Sequence, residues 1–244
     1  MDSPKRIVSL VPSLTELLFW LGAGERLVGR TCFCAEPQGE VESVPIIGGT
    51  KDPRTERVIS LAPDLVLANR EENRKEDIRE LEAAGLDVLL TDPVTVDGAL
   101  EMIEGLGRLV SAETAAGRLL GDVRSVLNVG RVQGEVKVCV FVWREPWMVL
   151  GCNAYGHDLL ERCGGRNVFN DVERYPEVSL DEVRRRAPDV ILLPDEPYPF
   201  QHGSTEEEVS SFARTLVVDG KMLWWYGPRM PSSIESLRAI LSGT

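Results

Sequence analysis

Histidine is almost absent. His157 and His202 are the only two in 244 residues, which leaves little material for a multi-histidine metal site. Aromatic residues make up only 6%. No apolar run reaches the roughly 18 residues of a membrane-spanning helix. Positive charge is in deficit: Lys and Arg total 27 against 39 Asp and Glu, a net charge of −12. A field of that sign repels phosphate backbones and anionic membranes, and no local basic patch reverses it, so no nucleic-acid partner and no membrane insertion are expected. Enzyme signatures are missing as well. No GxGxxG follows a strand, and Gly22-Ala23-Gly24 closes a helix rather than opening one; there is no GxxxxGK[ST] and no GxSxG. The five cysteines (Cys32, Cys34, Cys139, Cys152, Cys163) are odd in number and fit no zinc spacing. They read as small buried residues in the reduced state, with Cys34 near a ligand as the sharper alternative, and no metal site is expected. His157 reads as a polar residue at a helix start.

What remains is ordinary globular composition, 43% hydrophobic and 27% charged, enough for one large domain or two small lobes. Ile7–Val11 reads as a buried strand. The helix after it carries a capping-box pattern, with Ser13 as N-cap and Glu16 three residues on. Strands are expected at 27–31, 65–68 and 88–91, with helices at 56–61 and 76–84 between them. That alternation predicts a parallel sheet. From Asp97 to Val129 the apolar spacing is helical, with a break near Val110 and Ser111 as the next N-cap; a helix from 111 to 129 would be nearly 30 Å long at ~1.5 Å per residue. After Gly130 the alternation resumes. Strands are expected at 136–143, 148–150, 190–193 and 216–218, and helices at 157–163, 180–186, 206–215 and 232–241, the last capped by Ser232 or Ser233.

An internal repeat carries the most information. Glu56-Arg57-Val58 precedes Ala62-Pro63-Asp64-Leu65-Val66-Leu67, and Asp181-Glu182-Val183 precedes Ala187-Pro188-Asp189-Val190-Ile191-Leu192, at a constant offset of 125 residues. Glu71 and Glu196 follow the two strands at that same offset. Two copies of one α/β unit around a helical stretch predict an N-terminal lobe over 1–96, a linking helical segment over 97–130 and a C-terminal lobe over 131–244.

The scarce aromatics gather beside Pro and Gly in strand-end loops: Trp143-Arg144-Glu145-Pro146-Trp147, Tyr198-Pro199-Phe200 and Trp224-Trp225-Tyr226-Gly227-Pro228-Arg229. Open α/β sheets bind ligands at the carboxyl ends of their strands, and rings with a few fixed charges suit a flat, partly apolar ligand. The candidate ligand-binding residues are Phe33, Trp143, Arg144, Tyr198, Phe200, Trp225, Tyr226 and Arg229, expected along one groove. The competing reading is that these rings only pack the loops. The run Asn69 to Asp77 is highly charged and reads as a solvated helix start or as half of a docking surface.

These features together resemble the class III substrate-binding proteins of ABC transporters, the cobalamin-, siderophore- and haem-binding group also called helical backbone metal receptors. The residues that carry the likeness are RIVSLVPSLTELLFWLGAGERLVGRT, ERVISLAPDLVLA, LLERCGGRNVF and VSLDEVRRRAPDVILL, with GGTKDP, NREENRKED, EPYPF and WYG. The resemblance implies an α/β fold of two Rossmann-like lobes bridged by a long backbone helix, chelatase-like in layout, with a ligand cleft between the lobes. It implies a monomer, no catalysis and no covalent cofactor, and cobalamin or an iron chelate as ligand. It also implies acidic residues that meet arginines on an ABC permease: Glu71, Glu72 and Glu76 on the first lobe, and Glu206, Glu207 and Glu208 on the second, to which the internal repeat adds Glu196 as the counterpart of Glu71. The printed chain shows neither an export signal nor a lipoprotein cysteine, so the expectation is a cytoplasmic, non-exported member unless a leader has been removed. Two other functions stay open, an intracellular corrinoid or metal-chelate carrier and a chelatase-like enzyme; the scarcity of histidine weighs against the enzyme.

Overall fold

The computed structural model describes residues 3–129 and 136–243. The chain forms two compact units. Unit 1 comprises Met1–Asp92, Leu100–Gly121 and Tyr226–Pro228; unit 2 comprises Pro93–Ala99, Asp122–Trp225 and Arg229–Thr244. The expected lobe boundary at 130/131 lies outside the described residues.

Unit 1 is built on β1 (Ile7–Ser9), β2 (Leu27–Arg30), β3 (Leu65–Asn69) and β4 (Val88–Thr91). They form one all-parallel sheet in the order β2-β1-β3-β4. Central strands covered on both faces read as continuous apolar runs, and every residue of β1 and β3 is buried. Between β1 and β2 runs α1 (Pro12–Trp20), and between β3 and β4 runs α3 (Lys75–Ala83), with α2 (Thr55–Ser60) before β3. Leu14, Leu17 and Leu18 make the buried stripe of α1, each contributing roughly 1.5–3 kcal/mol by leaving water. Ser13 is not the N-cap expected. Pro12 takes the first helical position, where its fixed φ is pre-organised and its missing N–H loses nothing, so Ser13 falls inside the first turn and is buried.

The helical stretch divides into α4 (Val96–Leu109) and α5 (Glu113–Asn128), the second ~24 Å long at 1.5 Å per residue. Ser111 does not cap α5. It sits at φ 58°, and the Ala112 N–H returns to the Gly107 carbonyl at 2.7 Å, the hydrogen bond that closes α4. A Cβ at Gly107 would stand 2.5 Å from that of Ala116, so a glycine that weakens the helix by propensity is required by the close approach of α5.

Unit 2 carries β5 (Val136–Trp143), β6 (Met148–Val149), β7 (Gly165–Asn167), β8 (Val190–Pro194) and β9 (Arg214–Val218). The parallel part has the order β7-β5-β8-β9, and β6 adds antiparallel to β5. Strand for strand this repeats unit 1, with β5, β7, β8 and β9 in the places of β1, β2, β3 and β4. The helices are α6 (Tyr155–Arg162), α7 (Leu180–Arg186), α8 (Ser204–Ser210), α9 (Lys221–Trp224) and α10 (Met230–Ser242). A capping residue does occur on α7, where Ser179 Oγ accepts the Glu182 N–H at 3.2 Å. The repeated Ala-Pro-Asp breaks have one shape: Ala62 and Ala187 both adopt the left-handed region, at φ 45° and 48°, ending α2 and α7 ahead of the buried strand. Three sequence expectations are corrected here. The helix expected over 206–215 ends at Ser210, and Arg214 and Thr215 start β9. Ser232 and Ser233 lie within the first turn of α10 rather than capping it. β7 and α9 were not anticipated.

Candidate functional site

The carboxyl ends of the parallel strands make one rim on each unit. On unit 1 the rim is organised by a buried amide. Asn69, the last residue of β3, donates through Nδ2 to the Thr91 carbonyl at 3.2 Å, to Thr91 Oγ1 at 3.3 Å and to the Tyr226 hydroxyl at 2.8 Å. Its Oδ1 accepts the N–H groups of Glu71 and Glu72 at 2.8 and 3.3 Å. Asn73 completes the clamp: its Oδ1 accepts the Asn69 N–H at 2.8 Å, and its Nδ2 donates to the carbonyls of Leu10 and Thr50 at 3.2 and 2.9 Å. The ends of β1, β3 and β4, the 46–53 loop and the Tyr226 segment are therefore fixed by two side chains. Sequence reasoning missed both, because they sit inside a run that reads as solvated. The signal available was asparagine at i and i+4 directly after a buried strand.

Tyr226 was expected to face a ligand. It is instead 6% exposed, its hydroxyl is engaged by Asn69, and burial pushes its phenol pKa up. It braces the rim. Phe33, just past β2, is 61% exposed, with its ring 3.5 Å from where a Cβ on Gly49 would stand. A bare glycine under an exposed ring leaves an open apolar surface. Next to it Cys34 is buried among Thr15 Oγ1 at 3.1 Å and Thr31 Oγ1 at 3.2 Å, and burial raises its thiol pKa. That makes Cys34 a structural thiol. Glu71 and Glu76 are exposed and Glu72 half-buried. Lys51 Nζ donates to the Glu71 carbonyl, and Arg70 pairs with Asp92 at 3.1 Å.

On unit 2 the structure brings a chain of rings together. Trp143 at the end of β5 is 41% exposed and meets Tyr198 edge-on, with centroids 5.3 Å apart at 77°. Tyr198, half-buried, packs on Phe200 at 4.6 Å. Phe200 is only 1% exposed and belongs to the core with Phe141, Phe169 and Leu193. The expectation that Phe200 touches ligand is therefore corrected: it is the floor on which Tyr198 rests. Arg144 is held on three sides. Nη1 donates to Thr205 Oγ1 at 2.9 Å, Nη2 pairs with Glu208 at 3.0 Å, and the guanidinium lies 5.3 Å over the Trp147 ring.

Trp225 is 7% exposed, against the expected exposed platform. Its side chain hydrogen-bonds to the Glu196 carboxylate, and Lys221 and Arg229 sit over its ring at 5.2 and 5.4 Å. Glu196, expected as an open docking carboxylate, is half-buried. Its backbone carbonyl accepts Trp224 Nε1 at 2.7 Å. Burial is the main cause that raises its pKa. The acids of α8 are more open: Glu207 and Glu208 are exposed, and Glu206 lies 3.0 Å from His202 Nδ1. Among the described residues no group of three or more His, Cys, Asp or Glu side chains could hold a metal ion, the five cysteines form no disulfide, and no helix is long and apolar enough to cross a membrane.

The chain is similar to known proteins over most of its length. The vitamin B12-binding protein of Salmonella typhimurium is 30% identical over 195 residues, covering 77% of this chain and 71% of that one. The ABC transporter substrate-binding lipoprotein YvrC of Bacillus subtilis is 28% identical over 249 residues, covering 96% and 79%. Among solved structures, the periplasmic vitamin B12-binding protein BtuF of Vibrio cholerae superposes with a TM-score of 0.82 at 22% identity, covering 98% and 96%. A periplasmic haem-binding protein from Pseudomonas aeruginosa gives 0.84 at 23% identity, covering 99% and 94%. The family model described as periplasmic binding protein matches residues 7–214, and with a paired parallel fold and ring-bearing strand ends in place, this chain belongs to the periplasmic binding protein family.

Proposed function

We propose that this chain is the substrate-binding component of an ABC importer and that its cargo is a corrinoid or another metal chelate. Family membership makes it a binding protein rather than a catalyst. The observation that carries the choice of cargo is the exposed Trp143 ring, seated on Tyr198 and through it on Phe200, at the carboxyl end of β5. A large ring held at the edge of water by stacked neighbours has its conformational cost met before ligand arrives, and it offers a flat apolar face. Phe33 offers a second exposed ring on unit 1. Relatives that bind vitamin B12 or haem by name support the reading. The ligand contacts proposed are Phe33, Trp143 and Tyr198, with Arg144 next to Trp143 in the chain; Phe200 carries Tyr198, while Trp225, Tyr226 and Arg229 are held by their own neighbours. Importer docking is assigned to the exposed Glu71 and Glu76 on unit 1 and Glu207 on unit 2, and the working form is a monomer. A stand-alone intracellular carrier would share the ligand surface and lack the docking.

The test is a fluorescence titration of the purified protein with cyanocobalamin and with haemin, following tryptophan quenching, alongside native mass spectrometry for a co-purified ligand. Saturable one-to-one binding of either supports the proposal. Binding of neither, and no co-purified chelate, overturns it.

A further inference from the structure

The exposed ring of unit 2 is aimed by a fault in its strand. Pairing between β5 and β6 passes from Phe141 opposite Val149 to Trp143 opposite Met148, so β5 holds one residue more than β6 at that point. In a regular strand Phe141 and Trp143 would share a face. Phe141 is fully buried and Trp143 is 41% exposed, so the bulge turns the second ring out to water. A bulge also interrupts the ladder, which leaves Trp143 with less backbone support than a regular strand end would give it. The turn that follows is strained, with Glu145 in the left-handed region at φ 63°.

Arg144 supplies side-chain support at the same place. Its Nη1 donates to Thr205 Oγ1 at 2.9 Å, and its Nη2 pairs with Glu208 at 3.0 Å. Thr205 and Glu208 stand three residues apart on α8 and so share one face of it, and Thr205 is buried. The guanidinium also lies 5.3 Å over the Trp147 ring, which packs on Phe141 at 4.9 Å. The strained turn is therefore strapped to α8 on one side and to the core of unit 2 on the other. Tyr198, the edge-on partner of Trp143, lies in the segment that leads from β8 into α8. Both supports of the exposed ring thus come from one stretch of chain. We infer that Arg144 is a positioning residue for the ligand ring: with Thr205 and Glu208 it holds the bulged end of β5 against α8, and it acts through Trp143 rather than by offering its charge to the ligand. This rests on the receptor reading above and brings α8 into the ligand site.

The first measurement needs no ligand. In protein labelled with fluorotryptophan, the Trp143 fluorine resonance is assigned by its loss in Trp143→Phe. Arg144→Gln, Glu208→Ala and Thr205→Val should each shift or broaden that line, and Thr205→Ser, which keeps the hydroxyl, should restore it. A Trp143 line unmoved in the first three variants overturns the inference, whatever the protein binds. The second measurement titrates the same variants with cyanocobalamin and with haemin. Each of the three should weaken binding of the accepted probe about threefold to tenfold, and Arg144→Gln with Glu208→Ala should be no worse than either alone. In a Trp143→Ala background, Glu208→Ala should change the affinity no further, which separates action through the ring from a general loss of structure. Tighter binding in Glu208→Ala and Thr205→Val, where the guanidinium is freed, would make Arg144 a charge contact and overturn the positioning role while leaving the receptor reading intact. Binding of neither probe removes the receptor reading, and the fluorine line alone then decides whether Arg144 positions Trp143.

Discussion

Asp64 and Asp189 make the same stitch in the two units. The Asp64 N–H donates to the Arg6 carbonyl at 2.8 Å, and the Asp64 carboxylate accepts the N–H groups of Lys5 and Arg6 at 2.8 and 2.9 Å. The Asp189 N–H donates to the Lys137 carbonyl at 2.8 Å, and its carboxylate accepts the Lys137 N–H at 2.9 Å. Each aspartate thus ties the start of a central strand, β3 or β8, to the entry of its neighbour, β1 or β5, and sets their register. Asp189→Ala should cost about 0.5–1.5 kcal/mol, and Asp64→Ala should also lower Tm. The backbone hydrogen bonds hold the Asp64 pKa below its ordinary 3.8, so its contribution is complete above that value and fades as pH falls through the depressed one. Thermal unfolding of Asp64→Asn and wild type from pH 7 to pH 2 should therefore converge at the acid end; a constant gap would remove the carboxylate from the account.

The Asn69 side chain makes five hydrogen bonds on the unit 1 rim. Asn69→Ala removes the amide that joins the Tyr226 hydroxyl, Thr91 and the N–H groups of Glu71 and Glu72, and should cost about 2–3 kcal/mol, lowering Tm by roughly 5–10 °C. Tyr226→Phe removes one acceptor and should cost about 1 kcal/mol. Equal Tm values for wild type and Asn69→Ala would show the clamp to be ornamental.

Phe33→Ala and Trp143→Ala remove exposed rings, so stability should stay within about 0.5 kcal/mol of wild type. Ligand affinity should fall roughly tenfold for each. Phe200→Ala should do the opposite in kind, destabilising unit 2 by about 3–5 kcal/mol as a core deletion. Calorimetric titration beside thermal melts reads both quantities, and a ring deletion that leaves affinity unchanged takes that ring off the ligand surface.

Glu196 has a raised pKa, so its folded state favours the protonated form. Such a group adds stability fully below its ordinary value of 4.5 and loses it as pH rises through the folded value. Glu196→Gln keeps an acceptor for the Trp225 side chain and drops the buried charge. It should melt at or above the wild-type temperature at pH 7, with the difference closing below pH 4.5. A variant less stable than wild type at pH 7 would mean that the charge, through Lys221, is the favourable part.

Reversal of Glu71, Glu76 and Glu207 to Lys should slow association with a permease at low ionic strength and leave cyanocobalamin affinity as it was. Exposed pairs contribute little one at a time, so the signal is the association rate of the triple variant and its salt dependence. An unchanged rate at low salt favours the stand-alone carrier and its compartment.

The parallel α/β fold was legible because buried central strands leave continuous apolar runs, and because Ala-Pro-Asp recurs ahead of two of them. β7 was not legible: Gly165-Arg166-Asn167 contains no β-branched residue and becomes a strand only by pairing with β5. Its place could have been found from the repeat, since β2 follows α1 in unit 1 as β7 follows α6 in unit 2. The ring clusters marked the strand-end loops, but a loop sequence does not say which way a ring turns. Tyr198 and Phe200 are two residues apart, and one stands half in water while the other is core. The asparagine clamp left no periodic trace, because a buried hydrogen-bond network depends on partners far apart in the chain.

Tyr226–Pro228 has one more consequence, for synthesis on the ribosome. Unit 1 takes its last piece from the far end of the chain, and Asn69 waits for a hydroxyl 157 residues downstream. The N-terminal sheet can assemble early, but its rim cannot be finished until residue 226 has emerged. A nascent chain stalled before residue 226 therefore carries the unit 1 sheet without the hydroxyl that completes its rim.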